Sequence, residues 1–273
     1  MSIADPFTTF EHAGWSDASI VLGYHRQLSD VTRQTIPELL ASTGVKAGDR
    51  VLDVACGGGY VAAAARERGT DVVGVDFSAA QLELARKSYP DIEFLQGDAE
   101  NLPFPGEGFD VVLNAFGFPH LAHPERAASE ACRVLKRGGR FAYASWAEPA
   151  KCIGLAMVYD AVRAHGSLDV GIPAGPNFFA YGDAAYASGL LGGAGFVDVS
   201  PKDVPLVWRV SDPDAIFDTI RSGTVRASAL FSRQTPQALA KIKDGMRARV
   251  SEFENNNGYD VPTPALIVSA RKP

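Results

Sequence analysis

The sequence predicts an α/β fold built on a doubly wound parallel sheet, and three observations carry that expectation. Short apolar strands alternate with helical segments at a regular pace from residue 50 to residue 146. Val111 to Ala115 forms a continuous apolar run, as expected of a central strand covered on both faces. The stretch Val51-Leu52-Asp53-Val54-Ala55-Cys56-Gly57-Gly58-Gly59-Tyr60 joins a strand to a turn in which three successive residues lack side chains, so a ligand can approach the backbone there.

Residues 16–43 carry Ile20, Leu22, Leu28, Val31, Ile36, Leu39 and Leu40 among polar positions, predicting two helices broken near Ser29 and stopped by Gly44. The first strand covers 50–55, and its helix runs from Tyr60 and ends by Gly69. The second strand is 71–76. Ser78-x-x-Gln81 reads as a capping box opening a helix through Ser88. Strand three is 92–95. Pro124 suits the first turn of a helix reaching Lys136, with Gly138-Gly139 as its left-handed stop, and Phe141 to Trp146 is strand five. After Trp146 the pace breaks into a short helical stretch and the loop Gly171 to Asn177. A helix comes next over Asp183 to Gly193, then strand six at Phe196 to Val199, an extended segment around Trp208 to Val210, helices within 211–256, and a last strand at Ala265 to Ala270.

The 273 residues, 46% of them hydrophobic and 21% charged, suit one α/β core with an accessory layer. A formal net charge of -6 and the absence of a basic block argue against a nucleic-acid partner. Cys56, Cys132 and Cys152 form no C-x-x-C pair, fitting reduced thiols better than a disulfide framework or a zinc site. No signal peptide is expected in Met1 to Trp15, and no membrane-spanning run is apparent. A cytoplasmic protein without metal is the expectation, and its oligomeric state is left open.

Gly57-x-Gly59-x-x-Ala62 alone also fits a dinucleotide fingerprint. Asp53 separates the candidates, because a carboxylate at that strand end repels a pyrophosphate and suits a ligand carrying an ammonium group. Four further segments come in order: Val72-Val73-Gly74-Val75-Asp76-Phe77-Ser78, Gln96-Gly97-Asp98-Ala99-Glu100-Asn101-Leu102-Pro103-Phe104, Phe109-Asp110-Val111-Val112, and Arg133 to Arg140. With the first motif they resemble the class I methyltransferases that use S-adenosylmethionine, specifically the small-molecule branch that includes quinone-biosynthesis methyltransferases. The resemblance covers residues 45–146 and extends more loosely to the C-terminus.

The resemblance implies a Rossmann-like, doubly wound, seven-stranded sheet whose last strand is antiparallel, with helical lid insertions. The implied division is a helical cover at 1–44, a cofactor core at 45–146, a lid insertion at 147–181, a core continuation at 182–210, a helical lid insertion at 211–258 and the last core strand at 259–273. It further implies that S-adenosylmethionine is the cofactor and S-adenosylhomocysteine the product. Asp53, Ala55, Gly57 and Gly59 would hold the methionine moiety, with Asp53 near its ammonium. Asp76 would hold the ribose hydroxyls, Asp98 and the Ala99 N–H the adenine, and Phe77 with Leu102 would sandwich the ring. Asn114 is a further candidate for the cofactor, with local backbone support as the competing reading.

Methyl transfer asks chiefly for in-line positioning and, where the nucleophile carries a proton, for a base. His120, just after the fourth strand, is the candidate base. His12, His25 and His165 are weaker candidates that could reach the cleft from the cover and insertion. Phe116, Phe118, Trp146 and Tyr181 are candidate acceptor contacts, implying a small apolar or aromatic acceptor. Two other readings stay open: a nicotinamide-dependent oxidoreductase, and a non-catalytic S-adenosylmethionine-binding protein.

Overall fold

A computed structural model describes residues 5–273; residues 1–4 of the expected cover lie outside the described range. Seven strands form the central sheet: β1 (Arg50–Val54), β2 (Asp71–Asp76), β3 (Glu93–Gln96), β4 (Phe109–Ala115), β5 (Leu135–Trp146), β6 (Val197–Val204) and β10 (Ala265–Arg271). They lie in the order β3-β2-β1-β4-β5-β10-β6. β1 to β5 are mutually parallel, whereas β10 runs antiparallel to both β5 and β6, so the expected direction of the last strand holds. The order reverses at β1 and β4, and the crevice beyond their carboxyl ends is where this sheet type receives ligands.

The helices are α1 (Pro6–Trp15), α2 (Ala18–Gly23), α3 (Ser29–Thr32), α4 (Ile36–Thr43), α5 (Tyr60–Arg66), α6 (Ala79–Ser88), α7 (Pro124–Val134), α8 (Ile153–His165), α9 (Ala184–Gly193), α10 (Ala215–Gly223), α11 (Arg226–Ser232) and α12 (Pro236–Ser251). Alternate residues of the strands feed two cores. Val51, Val111, Leu113, Ala142 and Ala144 pack with α4, α5, α6 and α8, while Leu52, Val54, Val112 and Tyr143 pack with α7 and α9. Among the described residues no helix is long and apolar enough to cross a membrane.

Several local expectations are corrected. The N-terminal segment does not break at Ser29. A π-helical turn, Tyr24–Leu28, links α2 to α3, and a 3₁₀ turn leads into α4, which Gly44 ends in the left-handed conformation. α7 stops at Val134 rather than Lys136, because Leu135 already pairs with Phe109. The glycines turn the strand beside the C-terminus, where the Gly138 N–H donates to the Lys272 carbonyl. β7 (Val207–Val210) leaves the central sheet and joins β9 (Gly258–Pro262) and β8 (Glu254–Asn255) in a small antiparallel sheet, so the expected divisions at 210 and 258 both fall within that sheet.

Candidate active site

Two strand ends open the crevice by an uncommon backbone device. Ala55 (φ 55°), just past β1, and Phe116 (φ 60°), just past β4, both take the left-handed conformation. A bulky aromatic there is strained, and such strain concentrates where a chain must turn sharply away from a sheet. Asn114 braces the pair: its amide donates to the Val54 carbonyl at 2.9 Å and its oxygen accepts from the Gly117 N–H at 3.1 Å. The Asn114 side chain is therefore spent on backbone, the competing reading of this position, and Asn114 does not line the cavity.

A single cavity runs over these strand ends, lined by Asp53, Ala55, Gly57, Asp76, Phe77, Asp98 and Ala99 at one end and by Phe116, His120, Trp146, Tyr159 and Phe178 at the other. Asp53 is buried; one carboxylate oxygen accepts from the Ala62 N–H at 3.0 Å, while the other is buried without a partner among the described residues. Burial raises its pKa to about 8, with Asp76 adding to the rise and the Ala62 N–H opposing it. A cation placed against the free oxygen relieves both the raised pKa and the missing hydrogen bond, so the site fits an ammonium group.

Asp76 accepts from the Gly57 N–H at 2.9 Å and the Ser78 N–H at 2.8 Å, which ties the end of β2 to the glycine turn. Burial pushes its carboxyl up as well, against those two N–H groups. Each oxygen keeps a second lone pair for a ligand hydroxyl. Asp98 is exposed, and one of its oxygens accepts from the Glu100 N–H at 2.8 Å. Cys56 also borders the cavity, but burial and the two aspartates hold its thiol well above its usual range, so it remains a thiol.

Not every glycine serves the ligand. Gly59 has φ 81° and a Cβ there would lie 2.7 Å from the Phe94 ring, so it admits α5 against the sheet and is not among the cavity-lining residues. Gly58 has His25 over it, with a would-be Cβ 2.6 Å from the imidazole. His25 is held by Tyr60 Oη at 2.9 Å and Gln81 Oε1 at 2.7 Å. The capping box is thus only half made: Ser78 Oγ caps Gln81, but the Gln81 side chain turns to His25 instead of back to the cap.

The acceptor-side expectations divide. Phe116 and Trp146 line the cavity with ring centroids 4.3 Å apart. Phe118 and Tyr181 do not line it. The 3₁₀ turn Phe118–His120 swings Phe118 to the opposite face of the sheet, where it packs 4.8 Å from Tyr143 and 5.7 Å from Tyr181. Leu102 is likewise buried in that second core, and the face of Phe77 is covered by His12, stacked at 4.1 Å. His12 and His25 reach the cavity, whereas His165 lies beside Gly245 on α12.

Glu11 is absent from the sequence-derived candidates. It is fully buried on α1, and its Oε2 lies 2.9 Å from His120 Nδ1. Trp15 Nε1 donates to the same oxygen at 3.2 Å. The available signal is local: Phe7, Glu11 and Trp15 share one helix face at spacings of four, so the acid sits on the buried stripe. Trp15 Nε1 also lies 3.3 Å from His120 Nδ1, but its shorter contact is to the Glu11 oxygen. Since a carboxylate only accepts, a neutral His120 bonded to Glu11 carries its hydrogen on Nδ1 and its lone pair on Nε2.

Known proteins resemble this chain in sequence and in fold. The model of a methyltransferase domain family matches residues 52–143. A demethylmenaquinone methyltransferase from Paenarthrobacter aurescens is 31% identical over 195 residues, 67% of this chain and 77% of that protein. The chain belongs to the class I S-adenosylmethionine-dependent methyltransferases, in the branch that resembles quinone-biosynthesis enzymes. The protein is a methyltransferase with S-adenosylmethionine as its cofactor. A ubiquinone/menaquinone biosynthesis C-methyltransferase, UbiE of Pseudomonas fluorescens, is 39% identical over 127 residues, 43% of this chain and 49% of that one. Most of the curated relatives are matched over about half their length. Among solved structures, phosphoethanolamine N-methyltransferase 2 of Haemonchus contortus superposes with TM-score 0.59 at 17% identity, covering 98% of this chain and 60% of that one. The [4+2]-cyclase SpnF superposes at 0.53 and 21% identity, covering 88% and 80%. These two likenesses concern the fold.

Proposed function

We propose that the protein methylates a small, quinone-like aromatic acceptor carrying an ionisable hydroxyl. The observation that carries this reading is the continuity of one cavity from the strand-end carboxylates to an aromatic compartment containing a carboxylate-oriented histidine. Asp53 holds the ammonium of the cofactor, Asp76 its ribose and Asp98 with Ala99 its adenine, while the left-handed turn at Gly57 brings backbone to the methionine moiety. The bound cofactor supplies an electrophilic methyl group. Phe116 and Trp146 present ring faces to a flat acceptor, and Phe178 with Tyr159 completes the wall. His120 Nε2 accepts the acceptor's hydroxyl proton, Glu11 stabilises the resulting imidazolium through Nδ1, and the cover excludes water. The quinone-like class of acceptor draws on the names of the relatives at 31% and 39% identity.

The test is methyl transfer from isotopically labelled cofactor to paired oxidised and reduced naphthoquinones and benzoquinones. Label on the reduced, hydroxyl-bearing form alone is expected. Label on none of the aromatic compounds, by protein that binds S-adenosylhomocysteine saturably, would reject the acceptor class.

A further inference from the structure

Arg226, the first residue of α11, lines the acceptor end of the cavity. Its guanidinium lies over the Phe7 ring, 5.2 Å from the centroid. On another side it is confined by the 171–177 loop, where a Cβ at Gly175 would come within 2.8 Å of Nη1. That nitrogen is buried, and it has no hydrogen-bond partner among the described residues. A guanidinium has five N–H donors in a fixed fork and keeps its charge at every accessible pH, so it cannot relieve burial by losing a proton. Buried donors in folded proteins are almost always paired. The Phe7 ring offers a cation–π contact but no acceptor for the in-plane N–H groups.

The charge around it is arranged for a ligand rather than for self-neutralisation. Glu11 is the nearby buried acid on α1, one helical turn beyond Phe7, yet its Oε1 is also buried without a partner among the described residues and its Oε2 is committed to His120 and Trp15. Arg226 and Glu11 both act on the Tyr159 phenol, which burial pushes above its usual range: Arg226 opposes that rise and Glu11 adds to it. One compartment therefore holds a proton-accepting pair and, separately, a cation with unused donors.

Building on the aromatic-acceptor reading, we infer that Arg226 recognises an anionic oxygen on the acceptor, so that ionised aromatic compounds, phenolates or aromatic carboxylates, are taken in preference to neutral ones. An oxygen bound there forms charge-assisted hydrogen bonds with the fork, the stronger class of such bonds.

The experiment is calorimetric titration of the full chain, saturated with S-adenosylhomocysteine, at pH 7.5. The probes are 2-naphthoate and 1-nitro-2-naphtholate, each against its neutral counterpart, 2-naphthamide and 2-methoxy-1-nitronaphthalene. The expected result is at least about ten-fold tighter binding of one ion than of its neutral partner. That preference should be lost in Arg226→Met and partly kept in Arg226→Lys, with S-adenosylhomocysteine affinity unchanged in both. The pair showing the preference tells carboxylate from phenolate. Equal affinity of ion and neutral partner in both pairs, or a preference that survives in Arg226→Met, overturns the role of Arg226 while leaving the aromatic site intact. If Arg226→Met does not fold, the wild-type ratios and the Arg226→Lys variant decide. Binding of none of the four probes removes the aromatic acceptor itself, and this inference with it.

Discussion

The two ends of the cavity are built on different principles. At the cofactor end, backbone sets every position: carboxylates stand at successive strand ends, N–H groups of the glycine turn and of α5 fix two of them, and the left-handed Ala55 carries the chain out of the sheet. At the acceptor end, α1, the Phe118–His120 turn, α8, the segment around Phe178 and α11 each send in a side chain, and their meeting depends on tertiary packing. A backbone-built site is rigid and general, because the sheet fixes it whatever the periphery does. A side-chain-built site is adjustable, which suits a family whose members share one donor and differ in what they methylate.

Substitutions should separate these two ends. The largest effect is expected at His120, where replacement by Ala should lower turnover by about 10²- to 10⁴-fold, the range for removing a general base, with S-adenosylhomocysteine affinity unaltered. Single-turnover kinetics alongside calorimetry measures this, and full activity would reduce the acceptor end to a positioning device. At the cofactor end Asp76→Ala should weaken S-adenosylhomocysteine by about 1.5 to 3 kcal/mol, the scale of hydrogen bonds to a charged group. Because Asp76 also receives the Gly57 and Ser78 N–H groups, that variant should lose thermal stability too, whereas a purely ligand-facing carboxylate would leave Tm unchanged.

A smaller loss, on the order of ten-fold in turnover, is expected for Glu11→Gln, since His120 keeps its nitrogen but loses the carboxylate that orients its ring. A double-mutant cycle tests the positioning role: Glu11→Gln should cost little turnover in a His120→Ala background, and an undiminished loss there would make Glu11 merely structural.

The smallest signal concerns Asp53. Its folded-state pKa of about 8 lies above the ordinary 3.8, so the folded chain holds a proton that the unfolded chain releases between those values. The stability contribution of Asp53 is therefore complete below about pH 4 and declines as pH rises toward 8. Melting of the ligand-free protein should show a downward slope across that window that Asp53→Asn flattens. Titration of S-adenosylhomocysteine near pH 7 in buffers of different ionisation heat should reveal release of a proton, and zero release would detach Asp53 from the ammonium.

Legibility in the sequence divides along the same line. Asp53, Asp76 and Asp98 are legible because each position is fixed by where a strand stops, and strand ends are marked locally by apolar runs giving way to turn residues. Gly59 and Asn114 carry the right motif positions yet serve packing and bracing, a distinction that lies in the Phe94 ring and the Val54 carbonyl rather than in the motif. Phe118 and Tyr181 escape a reading by sequence position because a single 3₁₀ turn decides which face of the sheet Phe118 joins, and Tyr181 packs there with it. The Glu11–His120 pair spans 109 positions and His25–Gln81 spans 56, distances over which periodicity carries no information about who meets whom.

The π-helical turn at Tyr24–Leu28 makes segment length itself a variable of the site. A π turn holds one residue more than the α-helix on either side can accommodate, and His25 projects from that surplus. Removing one residue between 24 and 28 would restore ordinary helical winding and rotate α3 relative to α2 by about a quarter revolution or slightly more, taking the imidazole off Gly58 and away from Tyr60 and Gln81 without altering any of their identities. An alignment that scores only matched positions would see such a shortened chain as conserved at every site residue. The altered pocket would be recorded as a gap.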